Sequence, residues 1–197
     1  MRVTFIIIVI TFVFFVLQYL IRGFIDLLAL RPSSAILNSQ YWQFITYMFL
    51  HANPTHIFLN MFIFLLFGVA VEGVLKWKRY LFLYFVSGVG SAFLYIALAG
   101  LSDTPLIGAS GAVFGILAAY GFLYPKNIIM IFPGIPVPAL LAIAVFAGLE
   151  LFSGIFGLQP GIANFGHLGG IITGVILMAY WRYTKKLSKK RFEHEWV

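Results

Sequence analysis

The sequence has 197 residues, of which 62% are hydrophobic and 10% charged, and its mean hydropathy is +1.00. Soluble domains are about 45–50% apolar and about 25% charged. Composition therefore excludes a soluble globular domain, a disordered chain and a nucleic-acid-binding module, despite the net charge of +7. The chain has no cysteine, which excludes disulfides, a thiolate nucleophile and a cysteine-ligated metal.

Six apolar stretches have the length of a membrane-spanning helix, about 20 residues for ~30 Å of hydrocarbon. The first is interpreted as a retained span rather than a signal peptide, because no small-residue cleavage pattern follows it. Since isolated strands cannot satisfy their backbone in lipid, we predict an all-α polytopic membrane protein, a single domain over 1–197. The predicted spans are 3–21, 55–75, 80–101, 106–124, 137–156 and 165–183.

The segments between the spans carry loop chemistry. The longest, from Arg22 to Pro54, is rich in aromatic residues, and we expect it to form a structured element in the outer membrane interface. Shorter loops are predicted at Lys76–Arg79 and at Pro133–Pro138. The loop Gly157–Gly161 is rich in Gly and Pro.

Basic residues set the predicted orientation. With the N-terminus in the cytoplasm, eleven of the thirteen Lys and Arg residues lie on the inner side, and only Arg22 and Arg31 lie outside. Six spans return the C-terminus to the cytoplasm, where 184–197 forms a basic tail beside the membrane. The tail is interpreted first as a topology anchor and second as a contact for anionic lipid.

Four polar side chains from three spans lie at one depth, within roughly 10 Å of the outer boundary at 1.5 Å per residue. His56 and Asn60 lie in the first turns of span two, Ser110 one turn into span four, and His167 just inside span six. Taken singly, a membrane serine usually bonds its own helix, and a histidine near a helix end is usually an interfacial group. Polar groups inside spans are costly, however, so their convergence indicates a functional site.

These residue types fit nucleophilic catalysis. Ser110 needs a neighbouring base, which His167 can supply. His56 and Asn60, at i and i+4, project from one helix face as donors for an oxyanion, and the backbone N–H of Ser110 adds another. Small residues allow close approach of spans four and six; they are Gly108, Gly111, Gly115, Gly166, Gly169, Gly170 and Gly174.

The ordered set of motifs resembles the rhomboid family of intramembrane serine proteases. The matching pieces are Gly108-Ala109-Ser110-Gly111, His167-Leu168-Gly169-Gly170 with Gly174, the residues His51, His56 and Asn60, and the stretch Gly68 to Glu72. The resemblance covers essentially the whole chain and implies a six-helix rhomboid-like bundle.

The resemblance implies a role for each matching position. Ser110 is the expected nucleophile and His167 the general base and acid, a dyad that no carboxylate completes as a triad. His56, Asn60 and the Ser110 N–H are the expected oxyanion donors, with Gly108, Gly111, Phe114, Gly170 and Gly174 in support. Phe114 stands where relatives often have tyrosine, and Gln43 where they typically have arginine. Glu72 resembles a structural acid, for which a hydrogen-bonding role is expected.

The implied activity is a serine endopeptidase that cuts transmembrane segments of membrane proteins near their outer end, within the cytoplasmic membrane. Its site opens to the extracytoplasmic side, and its partners are transmembrane substrates and the bilayer, with no nucleic acid, no cofactor and no required oligomer. Substrates would enter between spans two and five, under a mobile cap formed by Gly157–Gly161. The resemblance also suggests substrates with small residues at the cut and helix-weakening residues beyond it.

Three alternatives remain at this point. A non-catalytic relative would bind membrane helices without cutting them. A channel or transporter would need a polar path across the whole membrane, whereas these groups cluster on one side. A zinc site from His51, His56 and His167 lacks the HExxH pattern and nearby carboxylates, so no metal is predicted.

Glu150 is the one acid in span five, about six residues below its outer end and near the depth of Ser110. It either faces the site or is protonated and bonded to a neighbouring helix. The second interpretation is favoured, and Glu150 is left out of the predicted catalytic set.

Overall fold

The computed structural model describes residues 2–132, 135–156 and 164–184. The predicted cap at 157–161, and the basic tail beyond residue 184, lie outside these residues. The long helices are α1 (Arg2–Leu20), α5 (Pro54–Ala99), α6 (Ser110–Leu123), α7 (Ala139–Phe156) and α8 (Asn164–Tyr183). Four short helical pieces fill the stretch between α1 and α5: α2 (Phe24–Leu28), α3 (Pro32–Leu37), α4 (Gln43–Thr46) and a 3-10 turn (Tyr47–Phe49).

The helix α5 is a hairpin of two arms rather than one rod. Its backbone leaves the helical region at Lys76, with φ 62° and ψ 167°. The Phe64 ring contacts the ring of Tyr80, with centroids 6.1 Å apart, although these residues would be about 24 Å apart along a straight helix. The chain therefore reverses at Lys76. The prediction of a loop at Lys76–Arg79 is wrong, because the turn is made at Lys76 alone and both arms are helical up to that residue.

A small antiparallel ribbon departs from the predicted all-α class. Strand β1 (Ile128–Phe132) pairs with β2 (Ile135–Pro138), with Ile129 opposite Val137. Runs of β-branched and aromatic residues favour strands, but the predicted spans 106–124 and 137–156 flank residues 128–132, and a loop was predicted at Pro133–Pro138. The rest of the described chain is mostly helical, with short loops between the helices.

The short helix α6 forms the centre of the bundle. Ten of its fourteen residues are buried, and it packs mainly against α5 and α8. Its N-terminus begins at Ser110, four residues later than the predicted span. The preceding Leu106 is extended and exchanges backbone hydrogen bonds with Leu30, at 2.8 and 3.1 Å. Residues 106–109 therefore form a bridge and a turn instead of helix.

The outer faces of the bundle are apolar. Large hydrophobic side chains stay exposed along α1, α5, α7 and α8, among them Val9, Phe58, Leu140 and Ile176. Within the described residues, three helices are long and apolar enough to cross a membrane, and α6 is a shorter apolar helix. The exposed apolar faces and the long apolar helices identify a multi-pass membrane protein.

Glu72 anchors α1 to the first arm of α5. Its carboxylate accepts hydrogen bonds from the backbone N–H groups of Val3 and Thr4, at 3.1 and 3.0 Å, and from the Thr4 hydroxyl at 2.7 Å. These N–H groups belong to the first turn of α1, which has no partner for them inside the helix. The hydrogen-bonding role expected for Glu72 is confirmed.

Candidate active site

A cavity of about 740 Å³ lies among the N-terminal ends of α5, α6 and α8 and the middle of α7. Its polar lining includes His56, Asn60, Ser110 and His167. The structure thus brings together the four side chains that the sequence placed at one depth. Glu150 of α7 lines the same cavity.

Ser110 and His167 are in hydrogen-bond contact. Ser110 Oγ lies 2.8 Å from His167 Nε2. Ser110 is the first residue of α6 rather than one turn inside it, so its backbone N–H has no carbonyl partner within the helix. The hydroxyl, a base and a free N–H therefore meet at one point, which is what acyl transfer requires.

Glycine backbones set the distance between α6 and α8. A Cβ on Gly170 would overlap the carbonyl oxygen of Gly111, and one on Gly174 would lie 2.6 Å from the carbonyl oxygen of Gly115. Any larger residue at these positions would separate the two helices. The close approach expected from the sequence is therefore found, and it holds Ser110 against His167.

Phe114 lies one turn after Ser110 and covers the His167 imidazole. The two rings are stacked, with centroids 4.8 Å apart and planes 28° apart. Such aromatic contacts fix ring orientation through burial and quadrupole interaction. The residue that replaces the tyrosine of many relatives thus keeps the ring contact with His167.

The His56 ring lies in the cavity near Ser110, on the other side of Gly108. The side chain of Asn53 caps α5 by accepting the backbone N–H of His56 at 2.8 Å. The His56 Nδ1 atom accepts the N–H of Ala52 at 3.3 Å, so in the neutral ring the proton resides on Nε2. Asn60 donates a hydrogen bond from one amide N–H to the His56 carbonyl at 2.9 Å, and its side chain has a second amide N–H.

Gly108 makes room for the His56 ring. Its φ of 128° lies in a region that favours glycine. A Cβ there would lie 2.9 Å from His56 Cε1 and 3.7 Å from Ser110 Oγ. A side chain at this position would therefore enter the space between the two groups.

Glu150 contacts the base from the side opposite Ser110. Its Oε1 lies 3.1 Å from His167 Nδ1, and its Oε2 accepts a hydrogen bond from Asn164 at 2.8 Å. The structure combines the two interpretations of Glu150, because its side chain lines the cavity and also accepts a hydrogen bond from α8. The sequence predicted a dyad of Ser110 and His167 that no carboxylate completes; in the structure the Glu150 carboxylate lies beside His167 Nδ1 without an aligned hydrogen bond.

His51 contacts the residue that precedes Ser110, and the sequence did not predict this contact. It is fully buried, and its Nε2 faces the Ala109 N–H at 3.4 Å. Burial, and to a smaller extent the nearby His56, lowers the pKa of His51 to about 3. His51 is therefore neutral at physiological pH.

Gln43 stands where the resemblance leads us to expect an arginine. Gln43 is fully buried; its Oε1 accepts the Arg31 N–H at 3.0 Å and its Nε2 donates to Gln40. In this way it holds the segment before α5 without the arginine typical of relatives.

Among the residues that the structure describes, no cluster of three His, Asp or Glu side chains could hold a metal ion.

Comparison with known proteins agrees with the geometry. The sequence pattern of the Rhomboid domain matches residues 38–184. The chain is 34% identical over 144 residues to Rhomboid-type serine protease 2 of Emericella nidulans, covering 70% of this chain and 26% of the relative. It is 30% identical over 156 residues to RHOMBOID-like protein 6, mitochondrial, of Arabidopsis thaliana, covering 76% and 46%.

The match to a bacterial relative covers a larger share of that relative's length. Rhomboid protease AarA of Providencia stuartii is 29% identical over 173 residues, covering 77% of this chain and 60% of the relative. The chain therefore matches between about a quarter and three fifths of the length of these three proteins.

Proposed function

The chain belongs to the rhomboid family, and from that premise we propose that it is an intramembrane serine endopeptidase. The observation that carries the proposal is the 2.8 Å contact between Ser110 Oγ and His167 Nε2 at the wall of an open cavity. A serine is a weak nucleophile until a base removes its proton. This contact supplies the base.

The proposed reaction proceeds through an acyl-enzyme. His167 Nε2 accepts the Ser110 proton as Oγ attacks the scissile carbonyl, and a tetrahedral oxyanion forms. His167 then donates that proton to the leaving amine as the C–N bond breaks. Water attacks the resulting ester with His167 again as base, which releases the new carboxyl end and restores Ser110.

Three donors that line the cavity are proposed to stabilise the oxyanion. The Ser110 N–H has no partner within α6, and His56 Nε2 carries a proton because Nδ1 accepts from Ala52. Asn60 has its second amide N–H to offer. Preorganised donors of this kind each contribute about 10²–10³ in kcat.

The apolar walls of the cavity support a transmembrane substrate. Leu59, Ile63, Val113, Leu117 and Phe146 line it beside the polar groups. A helix hides its carbonyls in hydrogen bonds, so the substrate must unwind locally before attack. We expect small residues at the cut and helix-weakening residues beyond it.

The side of α7 that faces the bundle is the proposed entry path. The buried residues of α7 are Ala139, Ala142 and Ile143, all in its first turns. The rest of the helix is only lightly packed, which suits lateral movement of a substrate between α7 and the first arm of α5. A crosslink between these elements that leaves cleavage unchanged would contradict this path.

The proposed topology places six spans in one domain, with both termini and the basic tail in the cytoplasm. The reversal at Lys76 supplies two of the spans. The site then opens to the extracytoplasmic side of the cytoplasmic membrane. A single chain carries every proposed catalytic group, so no oligomer is required.

Labelling with a fluorescent fluorophosphonate tests the proposal without knowledge of the substrate. Protein reconstituted in lipid is compared with Ser110→Ala and His167→Ala. We expect labelling of the wild type only. A folded wild-type protein that stays unlabelled, while a reactive rhomboid control is labelled, would favour a relative that binds membrane helices without cutting them.

A further inference from the structure

Among the described residues, Glu150 is an acid whose carboxylate contacts the proposed base. Its carboxylate bridges two residues of α8 that lie three positions apart on one face of that helix. One oxygen accepts from Asn164 at 2.8 Å, and the other lies 3.1 Å from His167 Nδ1. Asn164 is buried, so the carboxylate is held from behind by an ordered donor.

The tautomer of His167 decides whether it can act as a base. To accept the Ser110 proton, neutral His167 must keep its own proton on Nδ1 and a lone pair on Nε2. A carboxylate beside Nδ1 favours this tautomer and stabilises the imidazolium that forms. The Nδ1 atom has no aligned hydrogen-bond partner among the described residues, so the contact with Glu150 is electrostatic and off the N–H axis.

We propose that Glu150, held by Asn164, is a positioning residue that sets the tautomer and orientation of His167 for proton transfer from Ser110. The proposal rests on the proposed protease function and extends it from a pair to a chain of four side chains. It assigns α7 a part in the chemistry in addition to its part in substrate entry.

The other groups around His167 cannot supply this function. Phe114 of α6 contacts the ring face, Ser110 occupies Nε2, and His56 of α5 offers a neutral ring that is itself a donor at Nε2. Of the groups named at the ring, Glu150 alone brings a negative charge to the Nδ1 side. Its side chain is 19% exposed, so solvent weakens the contact without removing it.

The decisive variant is Glu150→Gln, which keeps an oxygen for Asn164 and the length of the side chain. Its amide N–H would face Nδ1 and favour the proton on Nε2, a tautomer that cannot accept from Ser110. Loss of the hydrogen-bond partner behind a metal-binding histidine typically costs about 10- to 100-fold in activity, and we expect a loss of that order for a histidine that acts as a base. We expect kcat for a reconstituted transmembrane substrate, and the rate of fluorophosphonate labelling, to fall by that factor with KM and melting temperature unchanged.

Two further variants separate chemistry from packing. Glu150→Ala opens space at the cavity wall, and formate should restore part of its labelling rate by replacing the carboxylate. The control is Leu149→Ala, which shortens the exposed neighbouring side chain on α7 and should label at the wild-type rate.

Wild-type kcat and labelling in Glu150→Gln would overturn the inference, as would a raised KM with kcat unchanged or a labelling rate in Glu150→Ala that formate leaves unaltered. These results are distinct from failure of the proposed function, in which the wild type itself would neither label nor cut.

Discussion

Gly111 and Gly170 bring the backbones of α6 and α8 into direct contact, so that a methyl group on Gly170 would overlap the Gly111 carbonyl oxygen. This contact lies one residue after Ser110 and three after His167. The separation of the two proposed catalytic side chains is therefore fixed by backbone packing, with no intervening side chain to adjust it.

Gly170→Ala should separate α6 from α8 and uncouple Ser110 from His167. Overpacking of this kind costs about 1–3 kcal/mol, so we expect a lower melting temperature together with near-complete loss of labelling. The matched control is Gly73→Ala in α5, where an added Cβ meets nothing within 4 Å. That variant should keep its activity, and a fully active Gly170→Ala would show that the contact can relax.

Gly108→Ala tests the space beside His56. The new Cβ would displace the His56 ring and strain a backbone at φ 128°, so cleavage should fall by the ~10²–10³ expected for loss of an oxyanion donor. Gly100→Ala is the control, because Gly100 also has a positive φ, 74°, but an added Cβ there meets nothing within 4 Å. Equal losses in the two variants would assign the effect to backbone strain alone.

Sequence patterns predicted the helices well because hydrophobic length is read directly from the chain. They failed at Lys76 and at β1 because both depend on tertiary contacts. The turn at Lys76 is held by packing between the two arms of α5, and β1 is stabilised by pairing with β2. The start of α6 was misplaced because Leu106 is apolar enough for a span, yet it pairs with Leu30, a contact far away in sequence.

The convergence of His56, Asn60, Ser110 and His167 was predictable because depth in the membrane follows from residue number. Lateral position does not, and this is why Glu150 was noticed at the correct depth but assigned no partner. Asn164 was missed for the same reason, and the contact between His51 and Ala109 was not predicted. The i, i+3 spacing of Asn164 and His167 was a signal that could have found Asn164.

We expect the aromatic ring of Phe114, without a hydroxyl group, to be sufficient to orient the His167 imidazole. Phe114→Ala removes a stacked aromatic pair, and such pairs contribute ~1 kcal/mol, so kcat should fall about fivefold. Phe114→Tyr keeps the ring and should remain close to wild type. Steady-state cleavage of one substrate by the three proteins measures this, and equal loss in both variants would mean that ring stacking does not orient the base.

Stability should depend on pH through His51. Its pKa in the folded protein, about 3, is below the ordinary value of 6.5, so the unfolded chain binds a proton first as pH falls. The free energy of unfolding should be at its full value above pH 6.5 and decrease below it, by at most ~1.4 kcal/mol per pH unit. Denaturation in detergent between pH 7.5 and 4.5 measures the slope, which His51→Gln should reduce; an unchanged slope would exclude His51 as its source.

The most direct measurement is to map the cut in a transmembrane substrate. The substrate is a tagged single-span protein with small residues near its outer end and a helix-weakening residue beyond them. It is reconstituted with the enzyme in liposomes, and the masses of the products are determined by mass spectrometry. We predict one cut inside the span near its outer end, lost in both Ser110→Ala and His167→Ala. Cleavage that persists in Ser110→Ala, or substrate that binds the wild type and remains intact, would contradict the assignment of this chain as a serine protease.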